Sequence, residues 1–233
     1  MPGLLKSRMF IVVESVAGLA VLAVSAPSIP LQEWSGMLLL AVLCGMAQMM
    51  PVRLRQSSTI SVSAGVTFAG LILYGPVAAI WINLGSAAVT AFRPNVKPLH
   101  KILFNVSAHS LAAAAAGISY MAVGGTSRPV LLGEAVVPVL LAAAVYYAVQ
   151  TGLISGIIAL TEQTSFLKTW DANYRGSILN FVGLGIISLS AASAGVSLGN
   201  AGIIIFSLPL VMAWYGFKYI QDSSSGRPAL NRG

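Results

Sequence analysis

The most regular feature of the chain is the succession of long apolar runs separated by short polar segments. Each run has about 17–25 residues, the length that crosses the hydrocarbon core of a bilayer as an α-helix. The runs are continuously apolar, which argues against transmembrane β-strands. The pattern predicts an all-α, polytopic integral membrane protein with about eight transmembrane helices and short loops. The predicted spans are 9–26, 34–50, 56–74, 76–92, 100–122, 137–160, 172–194 and 201–220.

The division between the third and fourth spans depends on the Tyr-Gly-Pro sequence at 74–76. A Gly-Pro pair is typical of a turn, and proline suits the first position of a new helix. One helix over 56–92 would have about 37 residues, nearly twice the length of a crossing. We therefore expect two spans here. Residues 1–220 are predicted to form one transmembrane domain, and 221–233 a polar, disordered cytoplasmic tail.

Composition supports the membrane class. Hydrophobic residues make up 57% of the chain and charged residues 8%, whereas soluble domains have about 25% charged residues. So few charges cannot cover the surface of a soluble protein, and a disordered chain needs the opposite balance. The single cysteine, Cys44, excludes a disulfide framework and a cysteine-based metal site. Because Cys44 lies in an apolar run, we expect a small buried side chain.

Basic residues fall on one side of the eight-span arrangement. Twelve of the 13 Lys and Arg residues lie on that side, and only Arg128 lies on the other. The positive-inside rule then places both termini in the cytoplasm, in a cell (inner) membrane. The net charge of +7 is therefore interpreted as a signal of topology and not as a nucleic-acid surface. The twelve are Lys6, Arg8, Arg53, Arg55, Arg93, Lys97, Lys101, Lys168, Arg175, Lys218, Arg227 and Arg232.

The first apolar run has a second interpretation, a cleavable signal peptide. Lys6 and Arg8 precede the run, and the Val-Ser-Ala sequence at 24–26 resembles a cleavage site. Glu14 inside the run argues against cleavage, and the run is long enough to span. A mature protein beginning at Pro27 would contradict the eight-span arrangement.

Polar residues inside the spans are the candidates for function, because they are costly to bury in a membrane. Two are ionisable, Glu14 and His109. Glu14 lies about five residues into the first span, so the alternative to a functional role is that it extends to the interface or pairs with Lys6 or Arg8. Asn105 lies one helical turn before His109, so the two share a face, and the alanines that continue this face predict contact with protein. The alternatives are a hydrogen-bonded network that fixes packing and a polar cavity for a small ligand or proton. The candidate residues are Glu14, Asn83, Asn105, His109, Gln150 and Asn180.

The segment between the sixth and seventh spans carries aromatic residues four positions apart, at Phe166, Trp170 and Tyr174. This spacing predicts a short helix with an aromatic face. Aromatic rings of this kind anchor helices at the headgroup level of a membrane, which is the role we expect here. Docking of a partner is the alternative.

Sequence motifs of enzymes are missing. There is no Gly-rich phosphate loop, no HExxH and no acidic metal cluster. The Gly-Leu-Ile-Ser-Gly sequence at 152–156 has one residue too many for a serine-nucleophile turn, although a Ser155–His109 dyad can be written down. We therefore expect no catalytic residues, no metal and no cofactor. The GxxxG pairs Gly152/Gly156 and Gly195/Gly199 predict tight helix contacts, within the chain or in a homodimer.

Several short stretches resemble, in order and spacing, the N-terminal membrane regions of bacterial HD-GYP-type and GGDEF-type signalling proteins, the membrane-associated sensor (MASE-like) class. The stretches are Leu73-Tyr74-Gly75-Pro76, Leu103-Phe104-Asn105-Val106, Gly124-Gly125, Ser165-Phe166-Leu167 with Trp170, and Pro209-Leu210 with Tyr215. The resemblance covers about Val52 to Tyr219. It implies a sensor or signal-input module that acts on a cytoplasmic partner. No HD or GGDEF sequence follows Tyr219, so the resemblance implies no catalytic activity for this chain.

The size and composition of the chain also fit other functions. A small-molecule transport component, similar to the substrate-binding membrane subunits of energy-coupling-factor (ECF) vitamin transporters, fits the size and apolar content, but those subunits have about six spans. A structural or assembly protein without a ligand, and an intramembrane enzyme, are the remaining alternatives. In each of these interpretations the lipid bilayer is the partner that the composition requires, and nucleic acid is not expected.

Overall fold

The computed structural model describes residues 2–49, 52–53, 59–60, 62–92, 95–129 and 132–225, and they are almost entirely helical. The α-helices are α1 (Pro2–Ser25), α2 (Trp34–Gln48), α3 (Ser63–Ile82), α4 (Leu84–Phe92), α5 (Leu99–Ala122), α6 (Val136–Glu162), α7 (Phe166–Tyr174) and α8 (Ile178–Ser225). Single 3₁₀ turns lie at Ala26–Ser28, Leu31–Glu33, Leu132–Ala135 and Arg175–Ser177. The two-residue strands β1 (Val52–Arg53) and β2 (Thr59–Ile60) pair antiparallel.

Five helical stretches of the described residues are long and apolar enough to cross a membrane. They are Leu5–Ser28, Ser63–Phe92, Leu99–Ala122, Gly133–Glu162 and Phe166–Leu208. This confirms the prediction of an all-helical protein of the membrane class. Helix α2 has 15 residues, fewer than the about 20 of a full crossing. Helix lengths therefore give five candidate spans, where the apolar pattern predicts eight.

Helix α3 is interrupted at Gly75, where the chain reverses direction. Gly75 has φ 88° and ψ 179°, a conformation that glycine adopts without steric cost. The hydroxyl of Thr67 donates a hydrogen bond to the amide oxygen of Asn83 at 3.2 Å, although the two residues are 16 positions apart. In a straight helix that separation would be about 24 Å. The two arms of α3 therefore form a hairpin, at the position where the Gly-Pro sequence predicts a turn.

Helix α8 contains a second reversal, at Gly199. This residue has φ 60° and ψ −143°. A Cβ added to Gly202 would overlap the backbone of Ala194, and one added to Gly195 would lie 3.3 Å from Cγ1 of Ile203. Residues on the two sides of Gly199 therefore pack against each other, and α8 also consists of two arms. The reversal lies between the seventh and eighth predicted spans.

Two predicted boundaries need correction. The span predicted from residue 56 begins at Ser63, because Thr59–Ile60 forms strand β2; these residues are β-branched and favour a strand. The span predicted from 172 begins at Ile178. Helix α8 continues to Ser225, and the division into a transmembrane domain over 1–220 and a tail over 221–233 stays a prediction. Residues 226–233 of that tail lie outside the described residues.

Four chain connections meet at one end of the molecule, which we call the Arg128 end. The backbone N–H of Arg128 donates to the carbonyl of Ile72 at 2.8 Å, and its guanidinium pairs with Glu33 at 2.8 Å. The amide of Asn200 donates to the hydroxyl of Ser35 at 3.3 Å. The connection from α1 to α2, the reversal in α3, the connection from α5 to α6 and the reversal in α8 therefore lie together.

The opposite end, which we call the basic end, holds the beginning of α1, the end of α2 and the connection from α4 to α5. The rings of Phe10 and Phe104 lie 6.4 Å apart between centroids, and the side-chain amide of Gln48 donates to the hydroxyl of Thr90 at 3.2 Å. Burial of Lys97, which also lies here, lowers its pKa, and the charge of Lys101 lowers it further.

The core lies where α5 packs against α1, α3, α4 and α6. Ala112 and Ala116 of α5 are almost completely buried, so the small-residue face predicted to contact protein does so. Each GxxxG pair has one glycine in close contact within the chain, because a Cβ on Gly156 would touch Phe10 and one on Gly195 would touch Leu73.

Candidate functional site

A cluster of buried polar side chains lies in the core and joins five helices. We call it the central polar cluster. It consists of Cys44 of α2, Thr67 of α3, Asn83 between α3 and α4, Ser86 of α4, His109 of α5 and Tyr146 of α6. Buried polar groups in a membrane protein require hydrogen-bond partners, and the cluster supplies them internally.

Asn83 is fully buried at the centre of this cluster. Its amide nitrogen donates to the backbone carbonyl of His109 at 2.9 Å and to the hydroxyl of Tyr146 at 3.0 Å. Its amide oxygen accepts the hydrogen bond of Thr67 at 3.2 Å. A primary amide has two N–H donors, so both are used. One side chain thus joins the α3 hairpin to α5 and α6.

Tyr146 and His109 are both buried and lie side by side in the cluster. The hydroxyl of Tyr146 lies 3.5 Å from Nδ1 of His109, which is long for a hydrogen bond between these atoms. Because the hydroxyl already accepts the hydrogen bond of Asn83, its own proton is free to point to the imidazole. Nδ1 is then an acceptor, as in a neutral imidazole that carries its hydrogen on Nε2.

Cys44 is completely buried, as expected, but in polar surroundings. Its sulfur lies 3.1 Å from the hydroxyl of Ser86, 3.6 Å from that of Thr67 and 3.5 Å from the carbonyl oxygen of Ser63. A thiol is a weak donor and a weak acceptor, so these contacts position Cys44 and do not activate it.

Polar contacts continue from the cluster toward the basic end. The hydroxyl of Ser63 donates to the amide oxygen of Gln48 at 2.9 Å, and Gln48 donates to Thr90. Thr90 in turn donates to the carbonyl of Ser86 at 2.9 Å. Gln48 therefore ties the ends of α2 and α4 to the beginning of α3.

Aromatic rings connect the cluster to helix α7. We call this row of rings the aromatic ladder. Its successive ring centroids lie 5.1 to 6.1 Å apart, distances at which aromatic pairs attract one another. The ladder runs from Phe68 to Tyr146, Phe181, Tyr147 and Trp170.

Helix α7 is held on α6 by two hydrogen bonds at the end of this ladder. The indole N–H of Trp170 donates to the hydroxyl of Thr151 at 3.0 Å, and the hydroxyl of Tyr147 donates to the carbonyl of Tyr174 at 2.5 Å. Phe166 is 45% exposed. The predicted helix is present, but Trp170 and Tyr174 contact the protein, so that membrane anchoring remains a prediction for Phe166.

The structure does not bring every predicted residue into the cluster. Asn83 and His109 belong to it. Asn105 is half-buried and takes no part in the hydrogen bonds of the cluster. The amide oxygen of Gln150 is buried without a hydrogen-bond partner among the described residues. Asn180 is exposed on α8 and lies outside the cluster.

Glu14 is buried, with 4% of its surface exposed. Neither of its carboxylate oxygens has a hydrogen-bond partner in the described part of the chain. The adjacent hydroxyl of Ser15 and that of Ser155 are also buried and unpartnered. The Ser155–His109 dyad considered from the sequence is therefore not formed.

Residue type alone did not identify Cys44, Thr67, Ser86 and Tyr146 as members of this cluster. Small polar residues within helices bond to their own backbone, and the carbonyl oxygen of Ser63, which lies 3.2 Å from the Thr67 hydroxyl, shares the single proton of that hydroxyl with Asn83. The sequence feature that could have identified part of the cluster is the spacing of Asn83, Ser86 and Thr90, which places these side chains along one face of a helix.

The described residues contain no group of three His, Cys, Asp or Glu side chains that could hold a metal ion. Comparison with known proteins gives no further guide, because no family model, no curated protein and no solved structure matches this chain.

Proposed function

We propose that this chain is an integral membrane signal-input module without catalytic activity of its own. The observation that supports the proposal is the aromatic ladder, which connects the central polar cluster in the core with α7 near the basic end. A sensor needs such a physical connection between the place where a signal is received and the surface that a partner reads.

Tyr146 belongs to both parts of this connection. Its hydroxyl bonds to Asn83, and its ring packs on Phe181 at 6.1 Å between centroids. A signal that displaces the Asn83–Tyr146 bond would rotate or shift this ring, and Phe181 and Tyr147 would transfer the displacement to Trp170. Coupling of this kind requires the signal to favour one of two arrangements of the packed side chains.

The proposal includes a membrane arrangement with eight crossings and both termini in the cytoplasm of a cell (inner) membrane. Two of the five long helical stretches contain a chain reversal, at Gly75 and at Gly199, and the proposal assigns the eighth crossing to α2 together with the 3₁₀ turn Leu31–Glu33 before it. With the four connections of the Arg128 end outside, the basic end lies in the cytoplasm, in agreement with the positive-inside rule. Helix α7 then lies at the cytoplasmic surface, where a signalling partner is accessible.

The resemblance to MASE-like regions implies a class of partner that can be tested, an enzyme that makes or degrades a cyclic dinucleotide. We expect deletion of the gene in its source cells to change the cyclic-dinucleotide level, and the wild-type chain to restore it. Asn83→Ala, produced at wild-type abundance, should not restore it. The matched control Asn180→Ala removes an exposed amide and should restore it fully.

Two results would contradict the proposal. An unchanged cyclic-dinucleotide level after deletion would remove the signalling assignment. Full restoration by Asn83→Ala would show that the central polar cluster does not receive or transmit the signal.

A further inference from the structure

Glu14 is a buried acidic side chain to which no described residue donates a hydrogen bond or supplies a positive charge. It is 4% exposed, and its two carboxylate oxygens have no hydrogen-bond partner among the described residues. The ion pairs of that part of the chain, Glu33–Arg128 and Asp171–Arg175, do not include it. A carboxylate here would be buried without a hydrogen-bond partner and without a countercharge from the described residues, which is strongly unfavourable.

The contacts of α1 place Glu14 between α5 and α6. One turn before it, Phe10 packs on Gly156 of α6, and one turn after it, Gly18 lies against Ser107 of α5. Residues four apart lie on one face of a helix, so Glu14 faces the groove between these two helices. This place is separate from the central polar cluster.

We propose that Glu14 is a proton-binding site that controls the packing of α1. In the folded protein the carboxyl group carries its proton and is neutral. On release, the O–H bond breaks, the proton passes to water, and the carboxylate left behind weakens the contact of α1 with α5 and α6. This role of Glu14 does not depend on the signalling function proposed above.

Neighbouring elements do not offer another way to neutralise Glu14. No titratable or charged group of α3, α5 or α6 forms a hydrogen bond or an ion pair with it among the described residues. The groups on these helices are Tyr74 of α3, His100, Lys101, His109 and Tyr120 of α5, and Tyr146, Tyr147 and Glu162 of α6. His109 and Tyr146 contact each other. A proton is therefore the ligand that the surroundings of Glu14 accommodate.

The pH dependence of folding follows from the difference in bound protons. An unfolded chain releases the proton of a glutamic acid near about pH 4.3. Above that pH the folded state, which keeps the proton on Glu14, binds more protons than the unfolded state. Stability then falls as pH rises, by up to about tenfold in the folding equilibrium constant per pH unit for one proton. The fall ends at the pH where Glu14 ionises in the folded protein.

The first test is infrared spectroscopy of the purified full chain in lipid nanodiscs. A protonated carboxyl has a C=O stretching band that is separate from the carboxylate bands and shifts in D₂O. We expect this band in the wild-type protein at pH 7 and its loss as pH is raised. Absence of the band from the wild-type protein at pH 7 would overturn the proposal without any variant.

The second test compares variants over pH 5 to 9 by infrared spectroscopy and by the unfolding equilibrium in detergent. Glu14→Gln should lack the band and lose the fall in stability, because glutamine has no proton to release. The control Glu162→Gln, at an exposed position of α6, should behave as the wild type. Because His109 is present in all three proteins, any effect of its titration on stability is the same in each and cancels when they are compared. Persistence of the band or of the pH dependence in Glu14→Gln would overturn the assignment.

Discussion

At the scale of single residues, Asn83 is the side chain of the central polar cluster that joins the α3 hairpin to α5 and α6. Its amide makes three hydrogen bonds, to Thr67, His109 and Tyr146, and its oxygen also lies 3.9 Å from the sulfur of Cys44. Each bond reaches a different helix, so removal of the amide leaves three buried polar groups without this partner at once. A hydrogen bond in a membrane protein contributes about 0.6 kcal/mol on average, but a buried group left unpaired costs more.

We therefore expect Asn83→Ala to lower the free energy of unfolding by about 1–3 kcal/mol. Asn83→Asp, which keeps the volume but directs an oxygen at the His109 carbonyl, should lower it at least as much. Unfolding in a detergent titration, followed by circular dichroism, measures both. Asn180→Ala is the matched control and should change the free energy by less than about 0.5 kcal/mol. Equal stability of Asn83→Ala and the control would contradict the role given to Asn83.

Of the residues predicted from the sequence, Asn83 and His109 are buried in the cluster, whereas Asn180 is exposed outside it, and the difference depends on a helix boundary. A span beginning at 172 would put residue 180 well inside the membrane. Helix α8 begins at Ile178, so Asn180 lies in its first turn. Depth in a membrane depends on where a helix begins, which hydrophobicity defines only to within a few residues.

At the scale of helices, the reversal at Gly75 determines which residues meet. Its backbone lies in a region that is essentially restricted to glycine, and a Cβ there would fall 2.7 Å from the hydroxyl oxygen of Ser127. The Gly-Pro sequence made this turn predictable. Strand β2 was not predictable from hydrophobicity, because Thr59 and Ile60 lie within the third predicted span.

Gly75→Ala should destabilise the protein by about 1–3 kcal/mol, the cost of a side chain in this backbone conformation. Gly133→Ala is the matched control, because a Cβ at Gly133 meets no atom within 4 Å. Thermal unfolding of the two variants in the same detergent measures the difference. A Gly75→Ala protein as stable as the control would mean that the chain turns elsewhere.

The attachment of α7 predicts a local effect. Trp170→Phe keeps an aromatic ring but removes the hydrogen bond to Thr151. Loss of one hydrogen bond should raise the local opening of α7 by about two- to tenfold. Limited trypsin digestion at Lys168, inside α7, measures that opening. The control Ala172→Ser changes an exposed position of α7 and should leave the cleavage rate unchanged. Equal cleavage rates in both variants would show that the Trp170 hydrogen bond does not hold α7 on α6.

At the scale of the whole molecule, charge and connectivity agree. The Arg128 end gathers four connections, and the basic end carries Lys97 and the beginnings of α1 and α5. The distribution of Lys and Arg in the sequence predicted these two ends, because the positive-inside rule depends only on loop charge. Helix lengths were less informative, because two chain reversals lie inside continuous apolar stretches.

Labelling of intact cells tests this orientation. Ser127→Cys and Thr164→Cys place a thiol at exposed positions of the Arg128 end and of the α6–α7 connection, respectively. A membrane-impermeant maleimide should label the first in intact cells and the second only after the membrane is opened. The unsubstituted protein is the blank, since Cys44 is fully buried. Labelling in the reverse order would contradict the proposed topology.

The hairpin of α3 has a consequence for biosynthesis. Its first arm, residues 63–74, is about 18 Å long at 1.5 Å per residue, well short of the about 30 Å hydrocarbon core. Such an arm is too short to insert stably across a bilayer by itself. We therefore expect it to insert only after the second arm, through Phe92, has left the ribosome. The two arms then enter the membrane as one unit. Nascent chains whose segment outside the ribosome ends between Gly75 and Phe92 should consequently remain accessible to protease at the first arm, and longer ones should not.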